Sequence, residues 1–114
     1  MSQAKSIRAD SIIAFDVHVH IEHEGRDTAT DQATKKYFGD SGADRSPEAL
    51  AEYYRSRKMA CVVFSVDESL TGRPVVSNDR VAEFAARNSD VAIAFASVNP
   101  HRGKAAVDEA RRLV

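Results

Sequence analysis

Three short apolar segments rich in β-branched residues, at residues 12–21, 60–66 and 91–98, set the fold class of this 114-residue chain. Each precedes a polar stretch and then a segment with helical spacing. The first helix is expected to start at Ser46-Pro47, a capping hydroxyl followed by a proline in the first turn. Leu50, Tyr53, Tyr54 and Arg57 then fall on one face, with the Arg57 stem lying along it. The second helix is expected near Ser77 or Asn78, with Val81, Phe84 and Ala85 as its apolar stripe. The third runs from about Lys104, with Ala106, Val107, Ala110, Leu113 and Val114 repeating at helical spacing. The order β-α-β-α-β-α predicts an α/β fold of parallel strands joined by crossover helices.

The spacing between the second and third segments, about 31 residues, is that of one βα unit. The polar stretch after the first strand, residues 22–45, is longer and rich in Asp, Thr, Gly and Lys. Residues 31–38 are expected to form a short helix within it, and loops of this length are commonly lids or functional inserts. The third helix lacks a Gly, Asn or Pro stop signal, and Leu113 and Val114 belong to its apolar face. Three parallel strands also leave two sheet edges unpaired. The expectation is therefore that residues 1–114 are the N-terminal part of a larger α/β domain.

Composition narrows the function classes. Sixteen Lys and Arg against 17 Asp and Glu give a net charge of −1, with no basic run to follow a nucleic-acid backbone. Aromatics make up 7% of the chain and Trp is absent, which disfavours a base-stacking surface. The longest apolar stretch, residues 91–98, is far short of the ~20 residues that span a bilayer. The N-terminal apolar run is too short for a signal peptide and is interrupted by Asp16. A single cysteine, Cys61, rules out an internal disulfide and suits a reducing compartment. A cytoplasmic protein without nucleic-acid or membrane partners is the expectation.

The chemistry concentrates in Phe15-Asp16-Val17-His18-Val19-His20-Ile21. Strict alternation would put Asp16, His18 and His20 on one face of the first strand and the four apolar residues on the other. Two imidazoles ~7 Å apart along a strand can converge on one divalent ion, and imidazole suits Zn, Fe, Ni or Cu. Exposed histidines on a two-sided strand are the competing reading. Metal binding is favoured because the pair lies at the C-terminal end of the first strand, where α/β folds place ligands. Asp16 precedes it in a position to orient the site, and a long polar loop follows. His23 is a further nearby imidazole: a ligand, a substrate contact or a solvated loop residue. The last is favoured, since Glu22 and Glu24 flank it and stabilise its protonated form.

The run Asp16-Val17-His18-Val19-His20 on a first strand resembles the first-strand motif of the amidohydrolase superfamily. The similarity is greater to the amidohydrolase-related branch that includes aminocarboxymuconate-semialdehyde and γ-resorcylate decarboxylases. Residues 58–67, and Phe95-Ala96-Ser97-Val98-Asn99-Pro100-His101 with Gly103, resemble bacterial 4-hydroxyphenyl-β-ketoacyl-CoA hydrolases. The resemblance runs from Ile12 through nearly the whole chain. It implies a TIM (β/α)8 barrel in which His18 and His20 hold a catalytic divalent metal, commonly zinc. It also implies a third histidine from a middle strand and an aspartate from the last strand. A barrel of ~250 residues cannot be completed by 114, so only its first three βα units are expected here, a truncated barrel. Two ligands alone make a weak site, and the 114-residue chain by itself is expected to be inactive.

Other polar residues carry weaker signals. Ser65 with Asp67, and Ser97 with Asn99, fall at the ends of the second and third strands, where they would line a barrel mouth or simply cap turns. His101 follows the turn signal Asn99-Pro100 and reads as a solvated residue, as do Arg73 and Arg102. Cys61 opens an apolar strand and reads as a buried structural thiol. Gly39, Gly42 and Gly72 lack the spacing of a phosphate loop.

The functional expectation is a metal-dependent hydrolase acting on a small molecule bearing a carbonyl or carboxylate, an aromatic β-ketoacyl-CoA being suggested by the resemblance. Its full-length form is expected to be a homo-oligomer. A metal-dependent decarboxylase on the same ligands is the alternative. A non-catalytic α/β module that pairs its exposed sheet edge with a partner is the rival from outside enzymology.

Overall fold

The computed structural model describes residues 5–21, 46–66 and 76–114. They form a small α/β unit with a three-stranded, wholly parallel sheet: β1 (Ala14–His20), α1 (Pro47–Ser56), β2 (Met59–Phe64), α2 (Asn78–Arg87), β3 (Ala92–Ala94) and α3 (Lys104–Leu113). The strand order is β1-β2-β3, with β2 in the middle. The expected short helix at residues 31–38 lies outside the described residues. Among those described, no helix is long and apolar enough to cross a membrane.

α1 and α2 begin where side chains can satisfy their first amides. The Ser46 hydroxyl accepts from Ala49 N at 3.2 Å, Pro47 opens α1, and Glu48 sits in its first turn. Ser77 does the same for α2, accepting from Arg80 N at 3.2 Å. Arg55 and Arg87 occupy the last turns of α1 and α2, where a cation complements the exposed carbonyls. α1 ends as Lys58 takes φ 54°, turning the chain directly into β2.

α1 and α2 pack on one face of the sheet. Cys61 and Val63 of β2, Val19 of β1 with Ile21 just past its end, and Ala92 of β3 meet Ala51 and Tyr54 of α1 and Val81, Phe84 and Ala85 of α2 in a single core. The stripe expected for α2 is the observed one. That of α1 is rotated: Ala51 and Tyr54 turn inward, whereas Tyr53 is 50% exposed with the Arg57 guanidinium 3.8 Å from its ring centroid. Tyr53 and Arg57 thus form a cation–π pair on the surface. On α3 only Ala106 is fully buried, and Val107 is exposed.

Two strands depart from the pattern read in the sequence, β3 in its length and β1 in its alternation. β3 is three residues long, against the expected eight. Past Ala94 the ladder makes one last bond, Phe95 N to Val63 O, and Asn78 of α2 then takes over. Asn78 accepts the amide of Ser97 and donates to its carbonyl, both at 2.8 Å, replacing a strand partner. In β1 the register slips between Asp16 and Val19, whose partners are Cys61 and Val63. Val17 and His18 together oppose Val62 alone, which makes this a β-bulge.

The bulge splits the apolar face expected of β1. Val19 and Ile21 are in the core, but Phe15 and Val17 are 48% and 70% exposed. They lie on the sheet face that no described helix covers, together with Ile93 and Phe95.

Candidate functional site

His18 and His20 lie at the C-terminal end of β1 on this open face, beside the Phe64 ring that ends β2. The ring centroids are 5.2 Å from His18 to Phe64 and 4.6 Å from His20 to Phe64. The two imidazoles stand edge to face, with Nε2 atoms 3.1 Å apart. His20 Nδ1 lies 3.3 Å from the carbonyl oxygen of Phe64. A carbonyl can only accept, so Nδ1 of His20 carries a proton. In the neutral imidazole Nε2 of His20 then bears the lone pair, and the 3.1 Å contact is made by His18 Nε2–H donating to it. Moving the His18 proton to Nδ1 would turn both lone pairs toward one point.

That geometry fits two ligands of one ion. Imidazole nitrogens on a tetrahedral zinc, each at about 2.0–2.1 Å, are separated by roughly 3.3 Å. The bond from His20 Nδ1 to a backbone carbonyl is the kind of outer contact that fixes the tautomer of a metal-binding histidine. The donor set is incomplete among the described residues, where no group of three or more His, Cys, Asp or Glu comes together.

Asp16 does not share the histidines' face. The bulge turns it to the helix-covered side, where the Tyr54 hydroxyl donates to Oδ2 at 2.7 Å. Its other oxygen, Oδ1, accepts the backbone amide of His18 at 3.1 Å. These two bonds, the Tyr54 one foremost, hold the Asp16 carboxyl below its ordinary pKa. Burial and the neighbouring carboxylate push the Tyr54 phenol upward, so it remains a donor. The expectation that Asp16 would sit beside the imidazoles is therefore corrected: it reaches them through the His18 backbone.

The remaining candidates divide simply. Asn99 is buried and its side chain accepts the amide of His101 at 3.0 Å, opening the 3-10 turn Pro100–Arg102. This is the capping role. Ser65 is buried, and Ser97 is held by Asn78, so among the described residues neither strand end gathers a polar cluster around the imidazoles. His101 and Arg102 are exposed. Cys61 is buried, and burial first of all pushes its thiol up to about 11, making it a poor nucleophile. His23, Asp67 and Arg73, together with Glu22, Glu24, Gly39, Gly42 and Gly72, lie outside the described residues.

Sequence reasoning missed Tyr54 and Phe64 as parts of the site. Tyr54 carried one usable signal: a tyrosine on a core-facing stripe must find a partner for its hydroxyl. Phe64 follows from counting parity along β2 from Cys61. Comparison of the chain with protein-family models, with curated proteins and with solved structures gives no match.

Proposed function

We propose that His18 and His20 are two ligands of a divalent metal, zinc by the resemblance, in a metal-dependent hydrolase of the amidohydrolase type. The carrying observation is the convergence of the two Nε2 atoms, 3.1 Å apart, with His20 Nδ1 engaged by a backbone carbonyl. In this reading the chain contributes the first-strand ligands of a (β/α)8 barrel, and further strands supply the others. A bound divalent ion would polarise a substrate carbonyl or carboxylate and make a water acidic enough to attack it. The protein's own part is orientation. Phe64 O fixes the His20 tautomer, the bulge sets both imidazoles on one face, and the Phe64 ring shields one side of them from water. The substrate class is a small molecule with a carbonyl or carboxylate, and the resemblance suggests an aromatic β-ketoacyl-CoA. Decarboxylation of a similar substrate on the same two ligands is the second reading.

The test is Zn²⁺ binding by equilibrium dialysis with metal analysis, on the wild-type chain and on His18→Ala, His20→Ala and His101→Ala. Either of the first two should weaken binding at least about 10-fold, and His101→Ala should not. Equal binding by wild type and the His18→Ala/His20→Ala double variant would refute the reading.

A further inference from the structure

We infer that Tyr54 is a positioning residue for the histidine pair, acting through Asp16 to hold the β1 bulge that presents His18 and His20. The inference rests on the reading of those histidines as metal ligands. Its premise is parity. In an unbroken strand Asp16, His18 and His20 would share a face. Either the imidazoles would then point into the helix-packed core, or the Asp16 carboxylate would join them on the open face. The extra residue opposite Val62 removes the conflict.

A bulge needs something to hold it, since it interrupts the ladder and leaves a residue unpaired. Here the two carboxylate oxygens of Asp16 have separate tasks. Oδ1 takes the His18 amide, fixing the backbone at the irregular step. Oδ2 takes the Tyr54 hydroxyl, tying that step to α1. The tyrosine ring is itself anchored in the core beside Ala51 and Cys61. A rigid, buried side chain on a helix thus fixes the backbone of the first imidazole without touching either ring. A phenylalanine ring would keep the packing of the Tyr54 ring and lose only its hydroxyl bond to Asp16. The phenol oxygen is therefore the informative atom.

The experiment compares wild type, Tyr54→Phe, Asp16→Ala and the double variant, each ¹⁵N-labelled. Three quantities are read: Zn²⁺ affinity, the His18 amide and His20 ring resonances without added metal, and the denaturation midpoint. Tyr54→Phe deletes one oxygen and keeps the ring. It should weaken Zn²⁺ binding by about 10–100-fold, the range for outer-shell partners of metal-binding groups. It should also shift the His18 amide resonance. In the Asp16→Ala background, adding Tyr54→Phe should change neither quantity further, because both residues act through one link. Wild-type Zn²⁺ affinity and an unmoved His18 amide in Tyr54→Phe would overturn the positioning role. So would full additivity in the double variant. A wild-type chain that binds no Zn²⁺ overturns the metal reading instead, and the metal-free resonances then decide the role of Tyr54 separately.

Discussion

Gly103 illustrates how one residue's backbone can matter more than its contacts. It joins the 3-10 turn to α3 with φ 58° and ψ −123°, a region that side-chain-bearing residues rarely enter. As N-cap of α3 it gives no side-chain hydrogen bond, although its carbonyl accepts from Ala106 N at 3.0 Å. A cap residue with a hydroxyl would serve the helix better, so the dihedral has decided the residue type. A Cβ built at this position meets no atom within 4 Å, so Gly103→Ala isolates backbone strain from collision. The expected cost is about 1–3 kcal/mol, measurable by urea denaturation. An alanine variant as stable as wild type would show that the turn relaxes freely. The start of α3 near Lys104 was legible in the sequence, because it follows from apolar spacing. The unusual dihedral was not, since a glycine in a polar turn is compatible with many conformations. The same holds for Asp16, whose side of the sheet is set by a bulge that leaves no mark on a two-residue period.

Between elements, Arg55 joins the end of α1 to the turn before β3. It donates to both carboxylate oxygens of Asp90, at 2.8 and 3.0 Å, and also reaches Asn88 and Glu52. The Asp90 carboxyl is held below its ordinary value of 3.8, chiefly by the Arg55 guanidinium. A carboxylate with a depressed folded pKa adds stability that is present above its unfolded pKa and is lost as the pH falls through the folded one. Asp90→Asn should therefore destabilise the chain near neutrality by about 0.5–1 kcal/mol, the scale of a partly exposed ion pair. The difference should shrink below about pH 4 and vanish once Asp90 is protonated. Denaturation curves at pH 7 and pH 3 test this, and an equal deficit at both would assign the loss to packing. Such pairs are difficult to read in a sequence because partners 35 positions apart meet only after the sheet has formed. What sequence did reveal at this scale were the helix caps Ser46 and Ser77 and the parallel βα order, all set by local chemistry. The early end of β3 escaped because Asn78, a residue of another element, substitutes for a strand partner.

For the molecule as a whole, the two sheet faces are unlike. One carries the packed core, and the other presents Ile13, Phe15, Val17 and Phe95 with 76%, 48%, 70% and 57% of their surface open. An apolar face of this kind is unusual on a freestanding soluble domain, where contiguous patches generally stay within a few hundred Å². The physical consequence can be measured on the face itself, away from the histidines. Ile13 and Phe95 flank it on either side of β2, and neither belongs to the core. If the face is bare in solution, Ile13→Lys and Phe95→Lys should each change stability by no more than about 0.5 kcal/mol, as surface substitutions do. Both should reduce binding of a hydrophobic dye such as ANS. If instead the face is covered, placing a lysine there buries an unpaired charge, and a cost of several kcal/mol is expected. Urea denaturation of the two variants at two protein concentrations separates these cases. A penalty that grows with protein concentration would show that another copy covers the face. One that does not would require the cover to come from the same chain.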